Sequence, residues 1–212
     1  MFNLQQYLTD YVRVLRHLDA VSIERVAEVL VGAWSAGRTV FLCGNGGSAA
    51  SACHIAADLT KLTAPPHGAR LRAVALTDSM SAISAIANDL AYEEVFAEQL
   101  RSFAQRHDVV IGLSTSGSSP NVLRAVDYAN SIGAVTVGIT GAGGKKLLET
   151  AHHAIVVDST SVQQVEDATM VAGHVLCLRV KEAIDSLQLR SLLRPAVAAQ
   201  GASQGPLSAT AS

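Results

Sequence analysis

Histidines and carboxylates recur along this chain at spacings that could bring them together as metal ligands, or as acid and base. His54 and Asp58 stand four residues apart in a stretch of helical pattern, which places them on one helix face. Glu166 and His174 are eight apart on a later helical stretch, again on roughly one face. Imidazole with carboxylate is a donor set suited to zinc or a similar divalent ion, and the same groups serve proton transfer. Each residue taken alone has a plainer reading. His54 is then a hydrogen-bonded interior histidine, Asp58 and Glu166 solvated carboxylates, and His174 a helix-packing residue beside Gly173. Eight residues of helix also rise about 12 Å. Glu166 and His174 therefore meet at one ion only if their side chains lean together; otherwise they serve different sites.

Two turns offer a place for an anion. In the first, the apolar run Val40 to Cys43 is followed by Gly44-Asn45-Gly46-Gly47-Ser48 and then by an Ala-rich helical stretch. A glycine-rich turn between a buried strand and a helix N-terminus leaves backbone N–H groups free. The helix dipole adds partial positive charge there, which suits a phosphate. Taken alone, this turn is as readily an ordinary strand–helix connection. The second turn, Ser114-Thr115-Ser116-Gly117-Ser118-Ser119, also follows an apolar strand, and Pro120 fits the first helical position with Ser119 as its N-cap. A cap needs one hydroxyl; this turn carries five, all able to hydrogen-bond phosphate oxygens without adding charge. The pair of turns favours phosphate.

The elements that must position these groups alternate along the chain. Strands are predicted at 39–43, 71–76, 108–114, 134–140 and 154–157, with helices at 4–18, 21–34, 48–61, 79–88, 93–106, 120–131, 145–150 and 162–187. Ser22 followed by Glu24 is the expected start of the second helix. Strands such as Val109-Val110-Ile111-Gly112-Leu113 are continuously apolar, the mark of a parallel sheet covered on both faces. The fold class is therefore α/β, a doubly wound five-stranded parallel sheet with extra N-terminal helices and a long C-terminal helix. Its ligands are expected at the C-terminal ends of the strands. Two helices before the first strand exceed what one sheet face needs. Tyr11, Val14, Leu15, Leu18, Leu30 and Trp34 are thus expected to include a subunit contact.

Composition narrows the function. With 212 residues, 49% of them hydrophobic, one domain over 1–190 is expected, followed by a disordered low-complexity tail over 191–212. The net charge of −2 and the lack of a basic stripe argue against nucleic acid as the main ligand. The N-terminus lacks a signal-peptide pattern and no apolar run is long enough to span a bilayer, so no membrane association is expected. Cys43, Cys53 and Cys177, an odd number with no CxxC, suggest reduced thiols and a cytoplasmic location.

The segments CGNGGSAASACHIAADLT, AIANDLAYEEVF, HDVVIGLSTSGSSPNVLRA, VTVGITGAGGKKL and VEDATMVAGHVLC together resemble the phosphoheptose isomerase branch of the sugar isomerase (SIS) domain family. The resemblance covers nearly everything except the tail. It implies a flavodoxin-like SIS fold, a homotetramer with active sites between subunits, and one zinc or other divalent ion per subunit. It also implies conversion of D-sedoheptulose 7-phosphate to D-glycero-D-manno-heptose 7-phosphate through an enediol. By the same resemblance, the substrate is bound by Asn45, Gly46, Gly47, Ser48, Asn88, Asp89, Ser114, Thr115, Ser116, Ser119 and Glu166. The metal falls to His54, Asp58, Glu166 and His174, and catalysis to Asp58 as base and His174 as acid.

The chain departs from the family pattern at the centre of that site. Asp58 replaces the family's glutamate and Glu166 its glutamine ligand. Gln163 stands for an aspartate, and Asp58-Leu59-Thr60-Lys61-Leu62 stands where the family reads ELTGR. Both altered ligand positions still carry a carboxylate and both histidines remain, which keeps the enzyme expectation. The rivals are a non-catalytic SIS protein, either an adaptor of the DnaA initiator-associating type or a phosphosugar sensor. A pure adaptor has no need of the four candidate ligands.

Overall fold

A computed structural model describes residues 2–64 and 69–201, with side chains described as far as residue 190. The chain opens with two helices, α1 (Leu4–Arg16) and α2 (Ala20–Ser35). Strands β1 (Thr39–Gly44), β2 (Arg72–Ala75), β3 (Val109–Leu113), β4 (Val135–Gly141) and β5 (His153–Val157) then alternate with helices. These are α3 (Gly47–Leu62), α4 (Met80–Asp89), α5 (Ala97–Phe103), α6 (Pro120–Ser131), α7 (Lys145–Thr150) and α8 (Val162–Gly201). The five strands lie parallel in the order β2-β1-β3-β4-β5, so the order reverses next to β1. At such a switch point the loops leaving β1 and β3 diverge and open a crevice.

Alternation along β1 divides the core. Val40 and Leu42 face a layer made by α2, α3 and α8, with Ile23, Val26, Leu30, Ile55, Leu59, Leu176 and Val180. Phe41 and Cys43 face the opposite layer, with Phe96, Leu100, Val122, Val126 and Leu147. Both faces are covered, as the unbroken apolar strands require. A smaller cluster of Val14, Val157, Val165 and Ala168 fixes α1 against β5 and α8.

Four sequence expectations need correction. The helix expected over 93–106 is interrupted: Tyr92–Glu94 forms a 3-10 turn and α5 begins only at Ala97. Val95, Phe96 and Ala97 are consecutive and all buried, a demand that one face of a regular helix cannot meet. The second helix starts at Ala20 rather than near Ser22. Asp19 caps it, accepting from Val21 N at 2.9 Å and from Ser22 Oγ at 2.6 Å. The apolar residues offered as excess on the first two helices are largely used within the protomer. Val14 and Leu30 are buried, Tyr11, Leu15 and Leu18 pack on the core, and Trp34 Nε1 donates to Ala69 O at 2.8 Å. The exposed apolar residues among those described instead include Phe2, Leu4, Leu8 and Val12 at α1, Val21 on α2, and Val175 and Leu178 on α8. α8 continues to Gly201, past the 187 expected for it and into the stretch assigned to the tail. The rest of that tail, 202–212, lies outside the described residues. No helix among the described residues is long and apolar enough to cross a membrane.

Candidate active site

The turn after β1 hands the chain to α3 without a side-chain cap. Gly46 is the N-cap and adopts φ 54°, a left-handed backbone that a residue with Cβ would strain to hold. The turn after β3 hands the chain to α6, where Ser119 occupies the N-cap position. Its hydroxyl does not cap the helix but meets Ser114 Oγ at 2.9 Å. By contrast α1, α2 and α4, which do not open onto this crevice, are capped by Asn3, Asp19 and Ser79 side chains. Of the two crevice helices, α3 thus keeps first-turn N–H groups for a ligand, while α6, which opens on Pro120, contributes its dipole and the hydroxyls of its turn; both N-termini favour an anion.

The two turns are tied to each other and to the sheet. Asn45 and Asn121 form a reciprocal amide pair, Nδ2 to Oδ1 at 2.9 Å and back at 2.8 Å. Tyr92 Oη donates to Asn45 Oδ1 at 3.0 Å. Asn121, almost fully buried, also caps its own helix by accepting from Val122 N at 3.0 Å. The serine turn is held to β4 by Ser114 N donating to Ile139 O and Gly141 N donating to Thr115 O. Sequence reasoning had not singled out Asn121 or Tyr92 as site residues. Their role depends on partners 76 and 47 residues away, which no local pattern reveals.

Between the turns lies a cavity of about 220 Å³ lined by Asn45, Ser48, Ser114, Thr115, Ser116, Ser119 and Glu166, with Leu113 and Val162. No lysine or arginine lines it, so its attraction for an anion comes from helix N-termini and hydroxyls. Glu166 is the one charged residue of its lining. The Glu166 carboxylate lies directly over Gly47: a Cβ built there would fall 2.2 Å from Glu166 Oε1. A glycine at this position is what lets α8 reach the mouth of the phosphate turn.

Further along α3 and α8 a second group assembles. His54 Nε2 and His174 Nε2 lie 3.1 Å apart. Asp58 Oδ2 stands 3.5 Å from the first and 3.7 Å from the second. The close approach of the helices comes from Gly173, where a Cβ would fall 2.7 Å from Ile55 Cδ1. Ile55 and Gly173 are the immediate neighbours of His54 and His174, so this contact sets the two rings face to edge, with centroids 4.9 Å apart. The side chains of His54 and His174 are 52% and 49% exposed and that of Asp58 24%, which leaves the group open to a ligand from solvent.

These three residues form a cluster able to hold a metal ion. Donors bound tetrahedrally at roughly 2.0–2.1 Å lie about 3.3 Å from one another. The separations of 3.1, 3.5 and 3.7 Å surround that value, and two imidazoles with one carboxylate are the donor chemistry of a zinc-type site with an open position. The residues fit such an ion. Glu166, expected as a fourth ligand, is not brought to this group. It stands two turns earlier on α8, over Gly47. Asn88 and Asp89 close α4 and are exposed, bonded to each other through Nδ2 and Oδ1 at 2.8 Å. They do not line the serine cavity, although the chain continues from them directly to Tyr92, which does reach Asn45.

Comparison with known proteins agrees with this geometry. Residues 5–141 match the family model for the SIS domain. The chain is 36% identical over 177 residues to a probable phosphoheptose isomerase of Thermoplasma volcanium, covering 84% of this chain and 90% of the relative. It is 39% identical over 171 residues to the phosphoheptose isomerase of Rhodospirillum rubrum, covering 79% and 88%. Among solved structures, the phosphoheptose isomerase of Neisseria gonorrhoeae superposes with a TM-score of 0.77 at 29% identity, over 86% of this chain and 97% of that one.

Proposed function

Since the chain belongs to the SIS domain family, in its phosphoheptose isomerase branch, we propose that it interconverts D-sedoheptulose 7-phosphate and D-glycero-D-manno-heptose 7-phosphate. The observation that carries this is the placement of an imidazole–carboxylate group two helical turns along α8 from a phosphate cradle lined by no lysine or arginine. Eight residues of helix separate Glu166, at the cradle, from His174, a rise of about 12 Å. A seven-carbon acyclic phosphosugar spans such an interval, and a triose phosphate does not.

The first-turn N–H groups of α3 and the dipole of α6, with Ser114, Thr115, Ser116, Ser119 and Ser48, hold the phosphate. Binding energy gained there positions the far end of the sugar. Asn88 and Asp89 close over the hydroxyls of the chain, and Glu166 accepts hydrogen bonds from them rather than ligating metal. At the reacting end Asp58 removes the proton from C1 of the ketose while His174 gives a proton to the C2 carbonyl oxygen, and an enediol results. His174 then takes the proton from the C1 hydroxyl as Asp58 returns one to C2, giving the aldose. Asp58 Oδ2 faces the two imidazoles, so Oδ1 is the oxygen left for the carbon-bound proton. A zinc-type ion held by His54, Asp58 and His174 would, when bound, stabilise negative charge developing on the substrate oxygens.

Exposed apolar side chains on α1 and α8 support a homotetramer, with Val175 and Leu178 placing one contact beside His174. Three free cysteines are in keeping with a reducing, cytoplasmic compartment. An adaptor or sensor would not need the His54–Asp58–His174 group. The deciding assay follows aldose formation from D-sedoheptulose 7-phosphate with zinc supplied; the absence of turnover under those conditions would refute the proposal.

A further inference from the structure

The opposite edge of the sheet carries a feature that the isomerase reaction does not use. Val109, Val135 and His153 are the first residues of β3, β4 and β5, and Arg38 immediately precedes β1. Together with Val29, Ala33 and other α2 residues they line a groove of about 300 Å³. The phosphate turns follow the last residues of β1 and β3, at the other ends of the strands, and none of His54, Asp58 and His174 lines the groove. The groove is therefore separate from the phosphate turns by the length of the strands and shares no lining residue with the cavity between them.

Its chemistry is lopsided. The floor is aliphatic, built from Val29, Ala33, Val109 and Val135. The polar residues on its rim are Arg38, His107 and His153, all nitrogen-bearing, and no carboxylate lines it. The nearest one in sequence, Asp108, is already engaged: Oδ1 accepts from Thr39 N at 2.9 Å and Oδ2 from Gln105 N at 2.8 Å. Arg38 forms no side-chain ion pair or hydrogen bond among the described residues, and its Nε is buried with no partner. A buried donor left unmade on a charged group is costly, and native structures keep such groups for a ligand, an ion or a strained function. His107 is held in the left-handed region at φ 71°, the one non-glycine residue of the described set to be so, which places a second ring nitrogen donor on this rim at a conformational cost. Burial, with the Arg25 and His152 charges behind it, pulls the His153 imidazole below its ordinary pKa. His153 therefore offers a neutral N–H, and Arg38 the charge.

We propose that this groove is a binding site for a small organic carboxylate with an aliphatic body: the carboxylate meets Arg38, with His107 and His153 beside it, and the body lies on Val29, Ala33, Val109 and Val135. An aliphatic floor under one unpaired guanidinium matches that amphiphile better than inorganic phosphate, which would leave the apolar surface uncovered.

Two variants test it. Arg38→Met keeps the apolar stem and removes the charge. Gly32→Leu fills the groove from α2, where a Cβ at Gly32 meets nothing within 4 Å and leucine is a better helix former than glycine. Neither residue belongs to the active site, so both proteins should fold and keep isomerase turnover. Ligand-observed NMR titration of the full chain with pentanoate should give saturable binding. It should be weakened at least ~10-fold by Arg38→Met, as expected for loss of a charged hydrogen bond, and abolished by Gly32→Leu. Pentan-1-ol, which lacks the charge, should bind at least ~10-fold more weakly on the same ground. Three results overturn the proposal. One is no saturable pentanoate binding, which a second copy of the chain seated in the groove would also give. Another is binding insensitive to both variants, which would put the carboxylate at the phosphate turns. The third is equal affinity for pentan-1-ol.

Discussion

Replacing Gly47 by alanine should separate stability from activity in this protein. Gly47 is the first residue of α3, where alanine is at least as good a helix former as glycine, by up to about 1 kcal/mol in a helix interior. The added methyl has nowhere to go except into Glu166. Its Cβ would lie 2.2 Å from Oε1, 2.4 Å from Cδ and 2.5 Å from Oε2, against 3.4 Å or more for ordinary contact. The carboxylate must therefore retreat by more than 1 Å. The end of a flexible side chain moves cheaply, so the melting temperature should hold or rise slightly. A displacement of about 1 Å in a positioning group nevertheless costs on the order of 10²-fold in rate, equivalent to about 2.7 kcal/mol in the barrier. Steady-state kinetics on D-sedoheptulose 7-phosphate should thus show kcat/KM reduced by roughly 10- to 100-fold in Gly47→Ala. In a Glu166→Ala background, where the obstructed side chain is gone, the same change should have little further effect, and the double-mutant cycle reports that coupling directly. Full activity in Gly47→Ala, or losses that simply add across the cycle, would refute the claim that Glu166 works from its place over this glycine.

Asp58→Asn keeps size while removing charge and basicity. It should lower kcat by at least ~10²-fold with little change in phosphosugar affinity, a split that calorimetry beside kinetics would reveal. Ser119→Ala removes a hydroxyl that bonds Ser114 rather than capping α6; the melting temperature should move little while KM rises several-fold. Burial pushes the Cys43 and Cys177 thiols from 9.0 up to about 12, the Asp58 carboxylate adding to the effect at Cys177. The unfolded chain therefore releases these protons first. Stability should be flat below about pH 9 and decline as pH rises toward about 12, and a Cys43→Ala/Cys177→Ala variant should show a shallower fall in melting temperature over that range. For the homotetramer, sedimentation velocity should find a single large species, and Leu8→Asp with Val12→Asp on the exposed side of α1 should shift it to a smaller one. A wild-type monomer at micromolar concentration would remove the shared-site proposal.

Sequence alone determined what depends on neighbours along the chain. The unbroken apolar run of 109–113 specified a strand covered on both faces. Pro120 after Ser119 specified the start of α6, and a four-residue spacing placed His54 and Asp58 side by side. Such features hold because the helix and strand periods are local. Three consecutive buried residues at 95–97 broke the expected helix, because the demand of the core overrode local preference. What joins the site depended on how separate elements pack. His174 reaches His54 across 120 residues because Gly173 admits Ile55, and Asn45 is oriented by Asn121 and Tyr92. Glu166 was expected beside His174 and instead lies over Gly47. Its separation along α8 was already legible as a rise of about 12 Å, but which neighbour it would meet was not. That choice belongs to the crossing of α8 over α3, fixed by interlocking side chains far apart in sequence.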